Sequence, residues 1–178
     1  MSEVYHMSIN GFETDLPIMP LPSGVKICFF NLHGNTLLTE HCGKELAKLV
    51  QGAEVLITAE SKGLQLCHVV ARELGHPLYA VCRKSKKLYM QDGIEVSVKS
   101  ITTGSVQTLY LSKHDAELLK GKKVGIIDDV ISTGGSLLGL EEVVKRAGGI
   151  VYKKAFVLAE GDAADRDDVI YLDKIPLL

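Results

Sequence analysis

The amino-acid sequence predicts an α/β fold in which helices flank a mostly parallel sheet. Residues 55–59 and 124–127 are short apolar runs, which are typical of strands buried on both faces of a parallel sheet. A polar loop with glycine follows each run and leads into apolar residues at helical spacing. Such strand–loop–helix units imply right-handed crossovers between parallel strands. The 178 residues are enough for a single domain, residues 1–178, with its own core.

The first half of the chain supplies five more predicted elements. Residues 1–24 contain prolines that exclude a regular helix, so we expect a short hairpin or arm packed on the main body. Residues 25–32 predict a strand, after which Asn35 or Thr36 is expected to cap a helix that runs to about residue 51. A helix over 64–74 and a strand over 78–82 complete the first parallel unit.

The second half begins with an antiparallel excursion. Residues 88–112 alternate between apolar and polar side chains around a polar turn at 102–105, which predicts two paired strands. A short helical segment over 114–119 precedes the strand that begins near Val124. Helical spacing then continues from Ser136 to a stop at Gly148, and residues 150–159 predict a further strand.

Composition and charge exclude several function classes. A formal charge of −2 and a pI near 6.3 lack the basic excess of a nucleic-acid binder, so no nucleic-acid partner is expected. The four cysteines form no Cys-x-x-Cys pair, which indicates reduced core thiols rather than a zinc site. The sequence has neither the order of a signal peptide nor an apolar run that could cross a bilayer. We therefore expect a cytoplasmic protein without a membrane partner.

Residues 124–136 carry the densest functional pattern. Asp128 and Asp129 end the apolar run, where the ligands of open α/β sheets collect. Small residues then open the next helix, where backbone amides and the helix dipole favour an anion. Because carboxylates do not bind phosphate, the acids must face vicinal hydroxyls or a hydrated cation of the same ligand, as in a sugar phosphate. The small residues are Ser132, Thr133, Gly134, Gly135 and Ser136.

This segment closely resembles the signature of type I phosphoribosyltransferases, which use phosphoribosyl pyrophosphate (PRPP). The resemblance implies the fold of that family, with a flexible β-hairpin lid and a small hood. It also implies that Asp128 and Asp129 hold the ribose hydroxyls and that residues 132–136 wrap the 5′-phosphate. Gly125 departs from the pattern, because a larger aliphatic residue is usual there, but the departure concerns packing.

Two further segments match the same family in place and type. The loop at 60–63 resembles its pyrophosphate loop, with Lys62 where adenine-type members carry arginine. Lysine is a point charge and holds a phosphate less rigidly than the planar arginine. The basic run at 83–87 resembles the cations that face the leaving group, with Lys86 expected to be exposed. The resemblance assigns pyrophosphate binding to Glu60, Ser61, Lys62, Gly63, Arg83, Lys84 and Lys87, and catalytic roles to Asp128, Asp129, Lys62 and Arg83.

The lid leaves the choice of base open. Residues 88–112 correspond to the mobile lid of the family, and residues 1–24 and 160–178 to its hood. Adenine-type members usually carry Leu-Glu-Tyr in the lid, whereas this chain has Ser100-Ile101-Thr102-Thr103, which is nearer to the xanthine-type and purine-repressor branch. Chain length, the Glu60 loop and the Arg83 cluster are nevertheless of the adenine type.

The resemblance implies a purine salvage enzyme that converts a free base and PRPP into a nucleoside 5′-monophosphate and pyrophosphate. The reaction expected first is adenine to AMP, and xanthine or another oxopurine is the alternative base. Magnesium is expected on substrate oxygens and water, without direct protein ligands, and a homodimer is expected from the family. A regulator that senses PRPP, as purine-operon repressors do, is a second alternative. The short segment of about 24 residues before the first core strand speaks against the DNA-binding domain of such regulators.

Overall fold

The structure of the protein is a computed structural model that describes residues 3–99 and 106–178. Its helices are α1 (Thr36–Leu49), α2 (Gly63–Glu73), α3 (Lys113–Leu119) and α4 (Gly135–Arg146), with a 3-10 turn at Gly161–Asp165. Its strands are β1 (Val4–Ile9), β2 (Phe12–Pro20), β3 (Lys26–Cys28), β4 (Val55–Ala59), β5 (Ala80–Cys82), β6 (Ile94–Lys99), β7 (Val106–Leu111), β8 (Lys123–Ile131), β9 (Ile150–Glu160) and β10 (Ile170–Ile175).

A five-stranded parallel sheet forms the centre of the molecule. Its strand order is β10-β9-β8-β4-β5, and every neighbouring pair is parallel. The residues of β4 are all buried, as the uninterrupted apolar run predicts for a strand covered on both faces. Gly125 lies beside a register shift between β8 and β9, and a Cβ there would come within 2.8 Å of Leu56 Cδ2. The small residue at this departure from the family pattern therefore serves close packing.

Helices cover both faces of the sheet, which confirms the predicted α/β class. On one face, α1 and α2 pack side chains such as Leu38, Leu46 and Leu66 into one hydrophobic cluster. On the other face, α3 and α4 contribute Leu119 and Leu140 to a second cluster. The Asn35 side chain accepts a hydrogen bond from the Leu38 amide and caps α1, as the sequence predicts.

The N-terminal segment forms a small antiparallel sheet of its own. Strands β1 and β2 form a hairpin whose turn, Asn10-Gly11, has positive φ at both residues, as tight hairpin turns require. Met7, Ile9 and Leu16 are buried against the main body, which confirms the predicted hairpin. The predicted strand over 25–32 is wrong in extent and partner. Only Lys26–Cys28 is a strand, and it pairs antiparallel with β2 rather than joining the parallel sheet.

Strands β6 and β7 form the predicted antiparallel pair after the basic run. Their inner side chains, Val96, Leu109 and Leu111, are buried, and the hairpin packs on α4. Arg83 and Tyr110 exchange two backbone hydrogen bonds of 2.8 Å, which attach the pair to the end of β5. The base of the predicted lid is thus part of the core. The predicted turn at 102–105 lies outside the described residues.

The C-terminal segment closes the sheet. Strand β10 pairs in parallel with β9 at the edge, a placement that the sequence analysis did not predict. Leu178 then exchanges backbone hydrogen bonds with Lys26, so the tail also joins the N-terminal sheet. The four cysteines are buried free thiols, as predicted. Across residues 3–99 and 106–178, no helix is both long enough and apolar enough to cross a membrane.

Candidate active site

The crevice above β4 and β8 is where the chain changes direction across the sheet. From β4 the chain passes through α2 to β5 on one side, whereas β8 lies on the other side of β4. Loops that leave such neighbouring strands diverge and open a ligand crevice at the carboxyl ends. A cavity of about 210 Å³ lies here. Its lining residues are Ala59, Glu60, Ser61, Lys62, Lys84, Asp128, Asp129, Val130 and Ser136.

The two acids lie on β8 beyond the last pairing with β4. Asp129 is 5% exposed, and its Oδ2 lies 2.8 Å from Lys62 Nζ. The angles of this ion pair are not those of a hydrogen bond, so Asp129 Oδ2 has no hydrogen-bond donor within the described part of the chain. Asp128 Oδ1 accepts a hydrogen bond of 2.9 Å from the Asp129 amide. The crevice therefore contains a buried acceptor available to a ligand.

Burial and mutual repulsion make it unfavourable for both carboxylates of the acid pair to be ionised. Burial, and after it the negative charge of Asp129, together raise the pKa of Asp128 to about 7. The positive charge of Lys62 acts in the opposite direction but is the smaller influence. A ligand that donates hydrogen bonds or positive charge to this pair would relieve the cost of keeping both carboxylates ionised.

Gly63 allows the two functional loops to approach each other. It is the first residue of α2, and a Cβ at this position would lie 2.3 Å from Thr58 Oγ1 and 2.9 Å from Asp128 Oδ1. Real Cβ atoms do not approach so closely, so any larger residue would push the helix start away from β8. Glycine at this position is thus a requirement of the crevice itself.

The loop from Ser132 to Ser136 surrounds a second cavity of about 130 Å³, which shares Asp128, Val130 and Ser136 with the first. Gly134 has a φ of +81°, which favours glycine, and it is the N-cap of α4 without a side-chain cap. The first amides of α4 therefore lack side-chain acceptors from the cap and are available to an anion. Phosphate-sized space, free amides and a helix N-terminus coincide at this loop.

Glu60 organises the basic side of the crevice. Its Oε2 lies 2.9 Å from Arg83 Nε, and its Oε1 accepts a hydrogen bond of 2.6 Å from the Lys84 amide. Glu60 thus holds the start of the basic run beside the loop at 60–63. Lys84 lines the cavity, whereas Arg83 does not line it and is paired with Glu60 instead.

Comparison with known proteins identifies the family. The family model described as "Phosphoribosyl transferase domain" matches residues 31–175. The chain belongs to this family. A xanthine phosphoribosyltransferase of Exiguobacterium sp. is 32% identical over 147 residues, which cover 78% of this chain and 75% of the relative. A hypoxanthine/guanine phosphoribosyltransferase of Methanococcus voltae is 29% identical over 149 residues, 84% of this chain and 73% of the relative.

The fold is also similar to a solved structure that is named for another base. The crystal structure of an adenine phosphoribosyltransferase from Thermoanaerobacter pseudethanolicus superposes with a TM-score of 0.72 and 25% identity, over 90% of this chain and 95% of that chain. The protein is accordingly a phosphoribosyltransferase of the purine branch, and its relatives are named for different bases. Its family uses PRPP as a co-substrate.

The structure brings most of the residues expected at the phosphoribosyltransferase site into the two joined cavities. Ser61, Lys62, Lys84 and both acids line the first, and the whole loop 132–136 lines the second. Lys87 lines neither cavity and is half-buried in the turn that leads to Met90. The lid segment Ser100-Ile101-Thr102-Thr103 lies outside the described residues. These placements leave the individual ligand roles as predictions.

Three contacts at this site have no signal in the sequence. Lys62 Nζ donates to the Phe30 carbonyl over 3.3 Å and lies 5.8 Å from the Phe29 ring centroid, so the segment after β3 contacts the Lys62 side chain. His33 Nε2 lies 3.3 Å from Ser61 Oγ. Arg166, in the tail, lies against Gly134. No local pattern announces these residues, because each reaches the site across roughly thirty positions of the chain.

The side chains near the crevice that could coordinate a metal ion indicate how magnesium would bind. No group of three or more His, Cys, Asp or Glu side chains that could hold an ion occurs in residues 3–99 and 106–178. Asp129 is paired with Lys62, which leaves Asp128 as the carboxylate with least competition. These residues fit a magnesium ion carried by substrate oxygens and water, which is a common arrangement for this ion.

Proposed function

We propose that this phosphoribosyltransferase transfers the phosphoribosyl group of PRPP to a nitrogen of a purine base. The C1–oxygen bond to pyrophosphate breaks, with its electron pair leaving on pyrophosphate, and the base nitrogen supplies the pair for the new bond at C1. The base nitrogen then gives up its proton. The products are a purine nucleoside 5′-monophosphate and pyrophosphate. The observation that carries the proposal is the juxtaposition of an acid pair, a phosphate-sized loop and a cationic loop in one crevice.

The two cavities fit the two halves of the sugar phosphate. The amides and hydroxyls of the loop from Ser132 to Ser136 bind the 5′-phosphate, with the start of α4 favouring its charge. The carboxylates of Asp128 and Asp129 accept hydrogen bonds from the ribose hydroxyls. Asp129 Oδ2, which lacks a hydrogen-bond donor among the described residues, gains one in this arrangement. PRPP is thereby held at both ends, with C1 directed toward the loop at 60–63.

The cations of the crevice act on the leaving group. Negative charge builds on pyrophosphate as the C1–oxygen bond breaks, so positive groups prearranged there stabilise the transition state more than the ground state. Lys62 and Lys84 line that part of the cavity, and Glu60 holds Arg83 beside them. Lys62 exchanges its contact with Asp129 for pyrophosphate when PRPP binds.

A magnesium ion carried by the substrate would supply positive charge that neutralises part of the pyrophosphate charge. Asp128 would be the protein carboxylate that interacts with its water shell. The protein's own contribution is to hold the ribose and the phosphate in a fixed orientation.

Two acceptor bases have support of different kinds. Adenine is the first candidate, supported by the likeness of the fold to an adenine phosphoribosyltransferase over 90% of this chain and by the adenine-type Glu60 loop. Xanthine is the second candidate, supported by the 32% identity to a xanthine phosphoribosyltransferase and by the absence of Leu-Glu-Tyr from the lid sequence. The bases differ at position 6, where adenine donates hydrogen bonds and oxopurines accept them.

A parallel assay tests both parts of the proposal. The protein is incubated with PRPP, magnesium and one base at a time: adenine, hypoxanthine, guanine or xanthine. Pyrophosphate release and nucleotide absorbance are followed. Turnover of adenine supports the first candidate, and turnover of xanthine without adenine supports the second. If PRPP binds but no base reacts, the transfer proposal fails and the PRPP-sensing regulator replaces it.

Two further properties are proposed from the family resemblance alone. We propose that the protein is a homodimer and that it acts in the cytoplasm. Sedimentation velocity at micromolar concentration tests the first, with a single monomeric species as the contradicting result. Fluorescence microscopy of the tagged protein tests the second.

A further inference from the structure

Arg166 lies against the loop that the proposed function gives to the 5′-phosphate. A Cβ built on Gly134 would lie 2.6 Å from Arg166 Nη1, so the guanidinium fills the space that a side chain at Gly134 would need. Gly134 is the residue with positive φ at which the loop turns into α4. Arg166 thus packs on Gly134, whose backbone conformation sets the orientation of the loop amides.

The guanidinium is held in this position by two parallel hydrogen bonds. Arg166 Nε donates to Asp168 Oδ1 and Nη2 donates to Asp168 Oδ2, each over 2.8 Å. This fork occupies two of the three guanidinium nitrogens and leaves Nη1 on the side of Gly134. The arrangement defines the direction of the third nitrogen as well as its distance from the loop.

Lys154 also holds Asp168, the acid that binds the Arg166 guanidinium. Lys154 Nζ donates to Glu141 Oε1 over 3.0 Å and also pairs with Asp168. Glu141 belongs to α4 and Lys154 to β9, so the network ties the tail to the helix that the phosphate loop opens and to its neighbouring strand. It contains two cations and two anions. Loss of the Arg166 charge would therefore leave a net negative charge beside a phosphate site.

We propose that Arg166 is a positioning residue for the 5′-phosphate of PRPP, an inference that rests on the proposed function. It acts through Gly134, by holding the loop in the form in which its amides converge on phosphate. Its charge also offsets Asp168, so the dianionic phosphate approaches a neutral rather than a negative neighbourhood. Arg166 affects PRPP binding and has no part in the departure of pyrophosphate at the other end of the crevice.

Binding measurements on the full chain test this role. PRPP and, separately, pyrophosphate are titrated into the wild type and into Arg166→Ala by calorimetry, at low and high ionic strength. Arg166→Ala should weaken PRPP binding about tenfold, the order expected for one charge near a phosphate. Pyrophosphate affinity should stay within about twofold. The PRPP affinity of the variant should also depend less on salt, because one screened charge has been removed.

Two variants of similar length separate charge from structure. Arg166→Lys keeps the charge without the fork, and Arg166→Gln loses both. The lysine variant should recover part of the PRPP affinity and the wild-type salt dependence, whereas the glutamine variant should not. This pair also serves if Arg166→Ala does not fold. Arg72→Ala is the matched control, because Arg72 donates two parallel hydrogen bonds to Glu40 and lines neither cavity of the site.

The outcomes distinguish this inference from the proposed function. Wild-type PRPP affinity in Arg166→Ala would overturn the positioning role alone. Equal losses in the lysine and glutamine variants, with unchanged salt dependence, would also overturn it, since the arginine would then be a structural residue. A wild-type protein that binds no PRPP would overturn the proposed function and this inference with it.

Discussion

Replacing Asp128 by asparagine should stabilise the protein at alkaline pH, although Asp128 is central to the proposed site. The structure holds this carboxyl partly buried beside Asp129, and its pKa is raised from 3.8 to about 7. Asparagine has the same shape, keeps the acceptor for the Asp129 amide and carries no charge. The variant should therefore lose PRPP binding and gain stability, which is the expected trade-off at a site shaped for a ligand.

The sign and size of the effect follow from proton linkage. Between about pH 4 and pH 7 the unfolded chain has released the Asp128 proton and the folded protein still holds it, so wild-type stability falls as the pH rises through this window. The full shift corresponds to about 4 kcal/mol, of which about 3 kcal/mol develops between pH 5 and pH 8. The asparagine variant has no proton to lose at this position. Its advantage over the wild type should grow by about that amount across the same range.

Urea denaturation at several pH values measures the difference directly. Both proteins are unfolded in parallel, and the free energies of unfolding are compared at each pH, so that all other titrating groups cancel. Asp92→Asn is the control, because its side chain is exposed to solvent. A stability difference between wild type and Asp128→Asn that does not change with pH would refute the reasoning. So would a variant that is less stable than the wild type at pH 8.

Three other substitutions probe separate features. Gly63→Ala should cost about 1–3 kcal/mol in a denaturation experiment, because the new methyl group would overlap Thr58 Oγ1; a neutral effect would show that the helix start can move. Lys62→Ala should weaken pyrophosphate binding about tenfold or more in calorimetry. The control variant Lys86→Ala should bind pyrophosphate as the wild type does. Equal losses of affinity in the two variants would contradict the role of Lys62. The two cations beside Asp168 hold its pKa well below the ordinary range, so this acid stabilises the fold above about pH 4 and the contribution is lost on acidification. Asp168→Asn should accordingly be less stable than the wild type at neutral pH, with a difference that shrinks in acid; a constant difference would point to lost packing instead.

The sequence was most informative where function follows from adjacent residues. An apolar strand, an acid pair and a glycine-containing turn into a helix are local patterns, and the structure places the elements around them within a few residues of the predicted bounds. The parallel sheet follows from the same patterns, because strands that alternate with helices can pair in parallel only through crossovers. Asn35 as the cap of α1 belongs to the same class of prediction.

Predictions were weakest where a segment's partner lies far along the chain. Residues 25–32 have the composition of a core strand, yet Lys26–Cys28 pairs with β2 instead. The following residues leave the strand, and the Phe30 carbonyl accepts a hydrogen bond from Lys62. The residues of β10 gave no sign that they would extend the sheet next to β9. Strand propensity records a fit to a half-buried surface and does not specify which surface.

By itself, therefore, the sequence determined the fold class, the acid pair and the two loops, since each depends on neighbours within about a dozen positions. Only the tertiary structure decided that the loops share one crevice, because this requires β8 to lie beside β4 rather than beyond β5. It also decided that Arg166 reaches Gly134, which depends on how the tail returns past β9. Neighbouring residues in the sequence determine which functional groups are present. The order of the strands across the sheet determines which of these groups lie close enough to act together.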